Sequence, residues 1–270
     1  MMFAYLEILR PINGLMSILA LIISAMIVGF PLSLELLIAF LIVFLVSSGG
    51  MIINDYFDYA IDKINRPKRP IPSKRISAKN ALAYAIILLL IANVLSLNLN
   101  LYALVLVVLN TILVVVYSWK LKKTILIGNL CVSWLTASIF LLGSLLRGYL
   151  SIAILILFSI VFSASVGREI AKSIEDVKGD KKLKLKTLPI IFGNNFAAFI
   201  AIIFIFFAIS FTPLPYAFGL MGINYVLLIV ITDLIFAISC FTILISPSRS
   251  QRFMKIGMLI GLLAFLVGTF

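Results

Sequence analysis

Charge is what this chain has least of. Only 12% of its 270 residues are Asp, Glu, Lys or Arg, against 63% hydrophobic, and the mean hydropathy is +1.24. Soluble domains carry about a quarter charged residues, so that class is excluded. Cysteine is equally scarce. Cys131 and Cys240 both lie inside long apolar runs, where a thiol behaves as a small apolar group, which argues against a disulfide framework or a metal–thiolate site. The first apolar run lacks an A-x-A-like cleavage site and follows a single basic residue, Arg10, so no cleaved signal peptide is expected.

What the chain does have is apolar sequence of membrane length. A helix crosses a bilayer in about 17–25 residues, and nine runs qualify: 13–30, 33–54, 79–97, 99–118, 125–146, 150–174, 191–211, 218–245 and 253–270. The expected fold is all-α, a polytopic membrane protein of nine helices in a single domain over 1–270.

The net charge of +12 raises the question of nucleic acid, but its distribution answers otherwise. Twenty-one of the 22 Lys and Arg residues fall on one side of the expected topology and only Arg147 on the other. The positive-inside rule then puts the N-terminus and the basic loops in the cytoplasm and the C-terminus outside.

The acids are distributed more tellingly. Of ten, seven lie in or beside two cytoplasmic loops: Asp55, Asp58, Asp62, Glu169, Glu175, Asp176 and Asp180. The two clusters stand four spans apart and each precedes a basic stretch. That spacing suggests a pseudo-repeat, spans 1–4 and 5–8 plus a ninth, which would bring the clusters face to face. The first loop, "KINRPKRPIPSKRIS", has three prolines in six positions and is expected to form an ordered or mobile flap, with Ser77 capping the next helix.

At about 100° per residue, Asn54, Asp55, Asp58 and Asp62 share one arc of roughly 100°. Glu169, Lys172, Asp176 and Asp180 share roughly 80° if the helix persists past Gly179, while Glu175 points elsewhere. Packed carboxylates repel and drift toward neutrality unless a cation holds them ionised. Mg²⁺ takes one or two carboxylates plus waters and substrate phosphates. Two acidic helix ends among lysines and arginines therefore suit a metal-bound diphosphate. A cation transporter is the non-enzyme alternative, although transporter sites lie near the midplane on broken helices. Ordinary polar helix ends are the plainer one.

"NDYFDYAID" resembles the first aspartate-rich motif, N-D-x-x-D-x-x-x-D, of the UbiA superfamily of intramembrane prenyltransferases, and "DVKGD" resembles its second, D-x-x-x-D. "RPKRPIPS" and "KTLPIIFG" follow the two motifs as in that family, and the resemblance covers the whole chain. It implies a UbiA-like helical bundle with a cytoplasmic-side active site that uses Mg²⁺. "GREIAKSIEDVKGD" and "RPINGLMS" are similar to stretches of its archaeal ether-lipid branch. That branch transfers geranylgeranyl from geranylgeranyl diphosphate to the hydroxyl of geranylgeranylglyceryl phosphate within the lipid bilayer. Other branches use aromatic or tetrapyrrole acceptors. The chain departs from the family in reading Pro72, Ser73, Lys74 where P-S-G is common, and Ser173 where an acid often stands.

The resemblance implies Asn54, Asp58, Asp176 and Asp180 as metal ligands, with Asp55 and Asp62 completing the first cluster against substrate. Lys120, Arg66, Lys172 and Lys186 are expected to contact phosphate oxygens, and Tyr117 to turn its ring to the allylic cation. Asn13 is expected to contact the acceptor. For several of these the plain alternatives are solvated positive-inside charge, an interfacial tyrosine anchor and a helix-start asparagine. Asp233, mid-span and without a motif, is expected to be hydrogen-bonded or protonated, its role unassigned.

Overall fold

The computed structural model describes residues 2–182 and 185–270, and among them every regular element is helical. In order these are α1 (Met2–Leu9), α2 (Pro11–Ile27), α3 (Leu34–Phe57), α4 (Tyr59–Asn65), α5 (Ala78–Ser96), α6 (Leu101–Trp119) and a 3₁₀ turn at Leu121–Lys123. There follow α7 (Ile127–Leu145), α8 (Ile152–Lys182), α9 (Leu188–Phe192), α10 (Asn194–Phe211), α11 (Leu214–Ala217), α12 (Ile223–Thr242) and α13 (Pro247–Gly268). Among the described residues eight helices are long and apolar enough to cross a membrane, and the pair Phe3–Leu9 and Pro11–Ile27 makes a ninth if taken together.

That pair corrects the expected first span. The chain is helical from Met2, and the two helices meet at a bend of 43°. Pro11 supplies no N–H and disfavours α geometry at the residue before it. Arg10 takes left-handed angles, φ 49° and ψ 62°, in place of the extended ones usual before proline.

By internal contact the chain divides into two compact units, Met1–Lys120 with Leu142–Tyr149, and Leu121–Leu141 with Leu150–Phe270. In the first, α3 is the central helix: 56% of its apolar window is buried, against 28% for α5 and 22% for α6. The small residues of "SSGG" explain its position, because they let neighbouring backbones approach. A Cβ on Gly49 would meet Leu89 at 2.9 Å, and one on Gly50 would collide with Val114 Cγ2. Arg147 donates to the Gly29 carbonyl and lies 5.9 Å from the Phe30 ring centroid, so it clips two loops together.

The flap of the first unit is ordered as a series of turns. Ile71 and Ile76 are its buried anchors, and Ser77 caps α5 by accepting the Asn80 N–H at 3.1 Å. Lys74, where the family favours glycine, sits at φ 61°. A side chain there costs about 1–2 kcal/mol, part of which glycine returns through its greater unfolded-state freedom. Lys74→Gly is expected to stabilise the protein by several tenths to about 1 kcal/mol. Thermal unfolding in detergent checks this, and a lower midpoint would show that the Lys74 side chain contributes more than its backbone costs.

In the second unit α8 is central, with 61% of its apolar window buried against 33% for α10, α12 and α13. Gly167 gives α10 its approach, since a Cβ would meet Ile205 at 2.7 Å and the Ala201 carbonyl at 3.1 Å. Ile170, Ile174, Ala197, Ala201, Ile205 and Met254 fill the core around it. The expected span ended at 174, but α8 continues through Gly179 to Lys182. Its 31 residues extend about 46 Å, well beyond the ~30 Å hydrocarbon thickness, so its last turns carry Asp176 and Asp180 clear of the apolar layer. Asp233 accepts a hydrogen bond from Thr212 Oγ1 at 2.7 Å, and Tyr225 donates to the Thr212 carbonyl at 2.7 Å. The mid-span acid thus ties α12 to the end of α10, leaving its Oδ1 buried without a hydrogen bond among the described residues.

Candidate active site

The first acidic motif lies where α3 gives way to α4. Asp58 adopts φ −89° and ψ 6°, outside α geometry, while Asp58 N–H still bonds Asn54 O and Asp62 N–H bonds Asp58 O. The backbone therefore turns without losing its hydrogen-bond ladder. The expected single face of four side chains divides into two pairs. Asn54 Nδ2 donates to Asp58 Oδ2 at 2.8 Å. Asp55 and Asp62 turn to arginine instead.

Asp55 is 2% exposed, and its Oδ1 accepts from Arg10 at 2.5 Å and Arg69 at 3.0 Å. Asp62, 5% exposed, accepts from the same Arg69 Nη1 at 2.6 Å. These two carboxylates were expected to complete the substrate face. The structure commits them to a clamp joining the α1–α2 bend, the end of α3, α4 and the flap. Buried carboxylates need a cation and donors, and these two arginines provide both. Neither arginine had been singled out from sequence. The only signals were Arg10's place as the lone base before a proline and Arg69's place in the proline-rich loop.

Around the flap, Arg75 bonds Glu7 through Nη1 at 2.5 Å and Nη2 at 2.9 Å. The hydrogen bonds to Glu7 push the Arg75 pKa up further, so the arginine stays charged at any working pH. Arg66 is exposed beside it. On α2, Asn13 is exposed, with Nδ2 3.1 Å from Met51 Sδ. Tyr117 is half-buried near the end of α6, and Lys120 is exposed as that helix's C-cap.

In the second unit Glu169 is buried and paired with Arg168 at 3.0 Å and Lys172 at 3.5 Å. Lys172 thus partners an acid of its own helix. Glu175 accepts a hydrogen bond from Ser248 at 2.7 Å. Ser173, at the family's acidic position, donates to the Glu169 carbonyl and accepts from Asn129 Nδ2 at 3.2 Å. Asp176 is exposed and Asp180 half-buried, one helical turn apart. Lys186 is exposed, with its N–H on the Lys123 carbonyl.

Among the described residues no three His, Cys, Asp or Glu side chains converge as a ready-made metal cage. Asn54 with Asp58, and Asp176 with Asp180, are instead pairs of oxygen donors without nitrogen or sulfur ligands. That chemistry fits a hard divalent ion that keeps waters and shares phosphate oxygens.

Fold and residue chemistry together define a class: a multi-pass α-helical membrane protein with oxygen donors at the ends of the most buried helix of each unit. The chain belongs to the UbiA prenyltransferase family, which matches residues 15–265, and its chemistry is prenyl transfer. It is 39% identical over 270 residues to the digeranylgeranylglyceryl phosphate synthase of Methanosphaera stadtmanae, covering 98% of each chain. To the enzyme of that name from Pyrococcus furiosus it is 38% identical over 270 residues, covering 98% of this chain and 96% of the other. A solved structure of digeranylgeranylglyceryl phosphate synthase superposes with a TM-score of 0.84 at 38% identity, covering 99% of this chain and 98% of that one. The fold also matches a UbiA homologue from Archaeoglobus fulgidus bound to DMAPP and Mg²⁺, with a TM-score of 0.69 at 20% identity, covering 97% and 99%.

Proposed function

We propose that this protein transfers geranylgeranyl from geranylgeranyl diphosphate to the free hydroxyl of geranylgeranylglyceryl phosphate. The product is digeranylgeranylglyceryl phosphate, an archaeal ether-lipid precursor. The observation that carries this is end-to-end similarity to enzymes named for that product, together with the Asn54–Asp58 pair at the end of α3.

Asn54 and Asp58 in the first unit, and Asp176 and Asp180 in the second, would hold Mg²⁺. Bound Mg²⁺ supplies neutralisation of the charge that develops on the departing diphosphate. Lys120, Lys172 and Lys186 add contacts to its oxygens, and Arg66 meets substrate phosphate from the flap. The C1–O bond of the donor breaks, and the Tyr117 ring faces the allylic cation that remains. The acceptor hydroxyl, oriented from the Asn13 side, attacks that carbon to form the ether bond, and its proton leaves to the diphosphate or water. Asp55 and Asp62 act at one remove, by fixing Arg10 and Arg69. The bias of the basic loops supports a cytoplasmic reaction site, the N-terminus inside and the C-terminus outside.

Purified protein in detergent is assayed with labelled geranylgeranyl diphosphate and Mg²⁺, offering geranylgeranylglyceryl phosphate or aromatic acids as acceptor. Digeranylgeranylglyceryl phosphate is expected, and EDTA is expected to stop its formation. Turnover of an aromatic acid with none of the glyceryl phosphate would assign the chain to another branch.

A further inference from the structure

Within the first unit a cavity of about 360 Å³ opens beside the flap, lined by Glu7, Arg66, Pro67, Lys68 and Arg69. Three of the five lining residues are cations, and the acid among them is already paired. Glu7 holds Arg75, which also donates to the Lys68 carbonyl at 2.6 Å. Arg69 uses Nη1 alone for both Asp55 and Asp62, so its Nε and Nη2 make no hydrogen bond among the described residues. Arg66 and Lys68 make no side-chain hydrogen bond or ion pair among the described residues. Counting the lining residues and the ion pairs that run from them, five cations (Arg10, Arg66, Lys68, Arg69, Arg75) stand against three carboxylates (Glu7, Asp55, Asp62). The excess is two positive charges, and it lies on the cavity wall.

We propose that this cavity binds the phosphomonoester of the acceptor, a deepening that rests on the acceptor reading above. A phosphomonoester carries about −1.5 to −2 at pH 7, which matches the excess. Arginine offers its oxygens a planar fork of donors. The site needs no metal, because arginine has already neutralised the neighbouring acids. It also lies where the acceptor's geometry requires. The glycerol backbone keeps the phosphate only a few bonds from the reacting hydroxyl, so the phosphate must bind beside the first motif. Arg69 provides that adjacency, touching Asp55 and Asp62 with one nitrogen and lining the cavity. Pro67 and the Arg69 and Arg75 clamps hold the wall in place before ligand arrives, which reduces the ordering cost of binding. Arg66 then belongs to the acceptor, and the donor diphosphate relies on the lysines.

The test is Arg66→Gln, Lys68→Gln and the double variant, each first checked for wild-type thermal unfolding. Loss of a charge-assisted contact raises the acceptor KM about 10-fold or more, and further in the double variant, while the donor KM moves less than about twofold. With geranylgeranylglycerol, which lacks the phosphate, wild type and variants are expected to share one KM. A rise in the donor KM would hand the cavity to the diphosphate. Wild-type acceptor KM in the double variant, or an effect seen only as lost dependence on phosphatidylglycerol in nanodiscs, would also overturn the proposal. Calorimetric binding of geranylgeranylglyceryl phosphate without donor or metal separates the two claims. Wild-type binding that the double variant lacks supports the cavity even if no transfer follows, and equal binding refutes it even if transfer occurs.

Discussion

Alanine at Asp58 or at Asp176 lowers kcat by about 10²–10³-fold, the scale of removing one group that stabilises charge developing on a leaving group. Neither change should unfold the protein. Asp58 stands at a helix end, bonded to the neutral Asn54 amide, and Asp176 is exposed on the last turns of α8, so stability shifts by less than about 1 kcal/mol. Steady-state kinetics in detergent, with thermal unfolding alongside, separates the two effects. The double variant should lose little more than either single one, as groups serving the same step do. A loss under about threefold at either position would remove that carboxylate from the metal set.

Replacing Arg69 with methionine should be the more damaging change for the fold. It takes the cation from Asp62 and leaves Asp55 with Arg10 alone, at sites 5% and 2% exposed. Breaking a buried pair by removing one partner costs about 3–5 kcal/mol, because a charge is left uncompensated. Adding Asp62→Asn should recover part of that loss, with a coupling of about 1–3 kcal/mol in a double-mutant cycle of unfolding free energies. Lysine at 69 should not rescue fully, since an ammonium is more strongly hydrated than a guanidinium and costs more to place beside these buried carboxylates. Strictly additive single and double variants would show that Arg69 and Asp62 do not act together.

The helices were legible in the sequence because membrane-length hydropathy is a coarse signal averaged over many residues. The end of α8 was legible only conditionally. Asp176 and Asp180 share a face with Glu169 and Lys172 if the helix survives Gly179, and it does because the turns beyond Ile174 continue the same ladder. The bend at Arg10 was not legible, since a left-handed arginine contradicts local propensity and is held in place by its tertiary bond to Asp55. Helical-wheel arithmetic had a similar limit at the first motif. It set Asn54, Asp55, Asp58 and Asp62 on one arc, but angle alone does not say which acids an arginine from a distant loop will claim. The resemblance named metal ligands and was silent on Arg10, whose partner lies 45 residues away, and on Arg69, whose partners lie 14 and 7 residues away.

The central claim is that Asp58, at the end of α3, and Asp176, on the last turns of α8, each contribute to binding metal and prenyl diphosphate. Titration of Mn²⁺ into the protein with geranylgeranyl diphosphate, followed by electron paramagnetic resonance, tests it without requiring turnover. The account predicts Mn²⁺ binding to wild type that depends on the diphosphate and weakens at least about tenfold, about 1.4 kcal/mol, in both Asp58→Ala and Asp176→Ala. Wild-type Mn²⁺ affinity in either variant would contradict it.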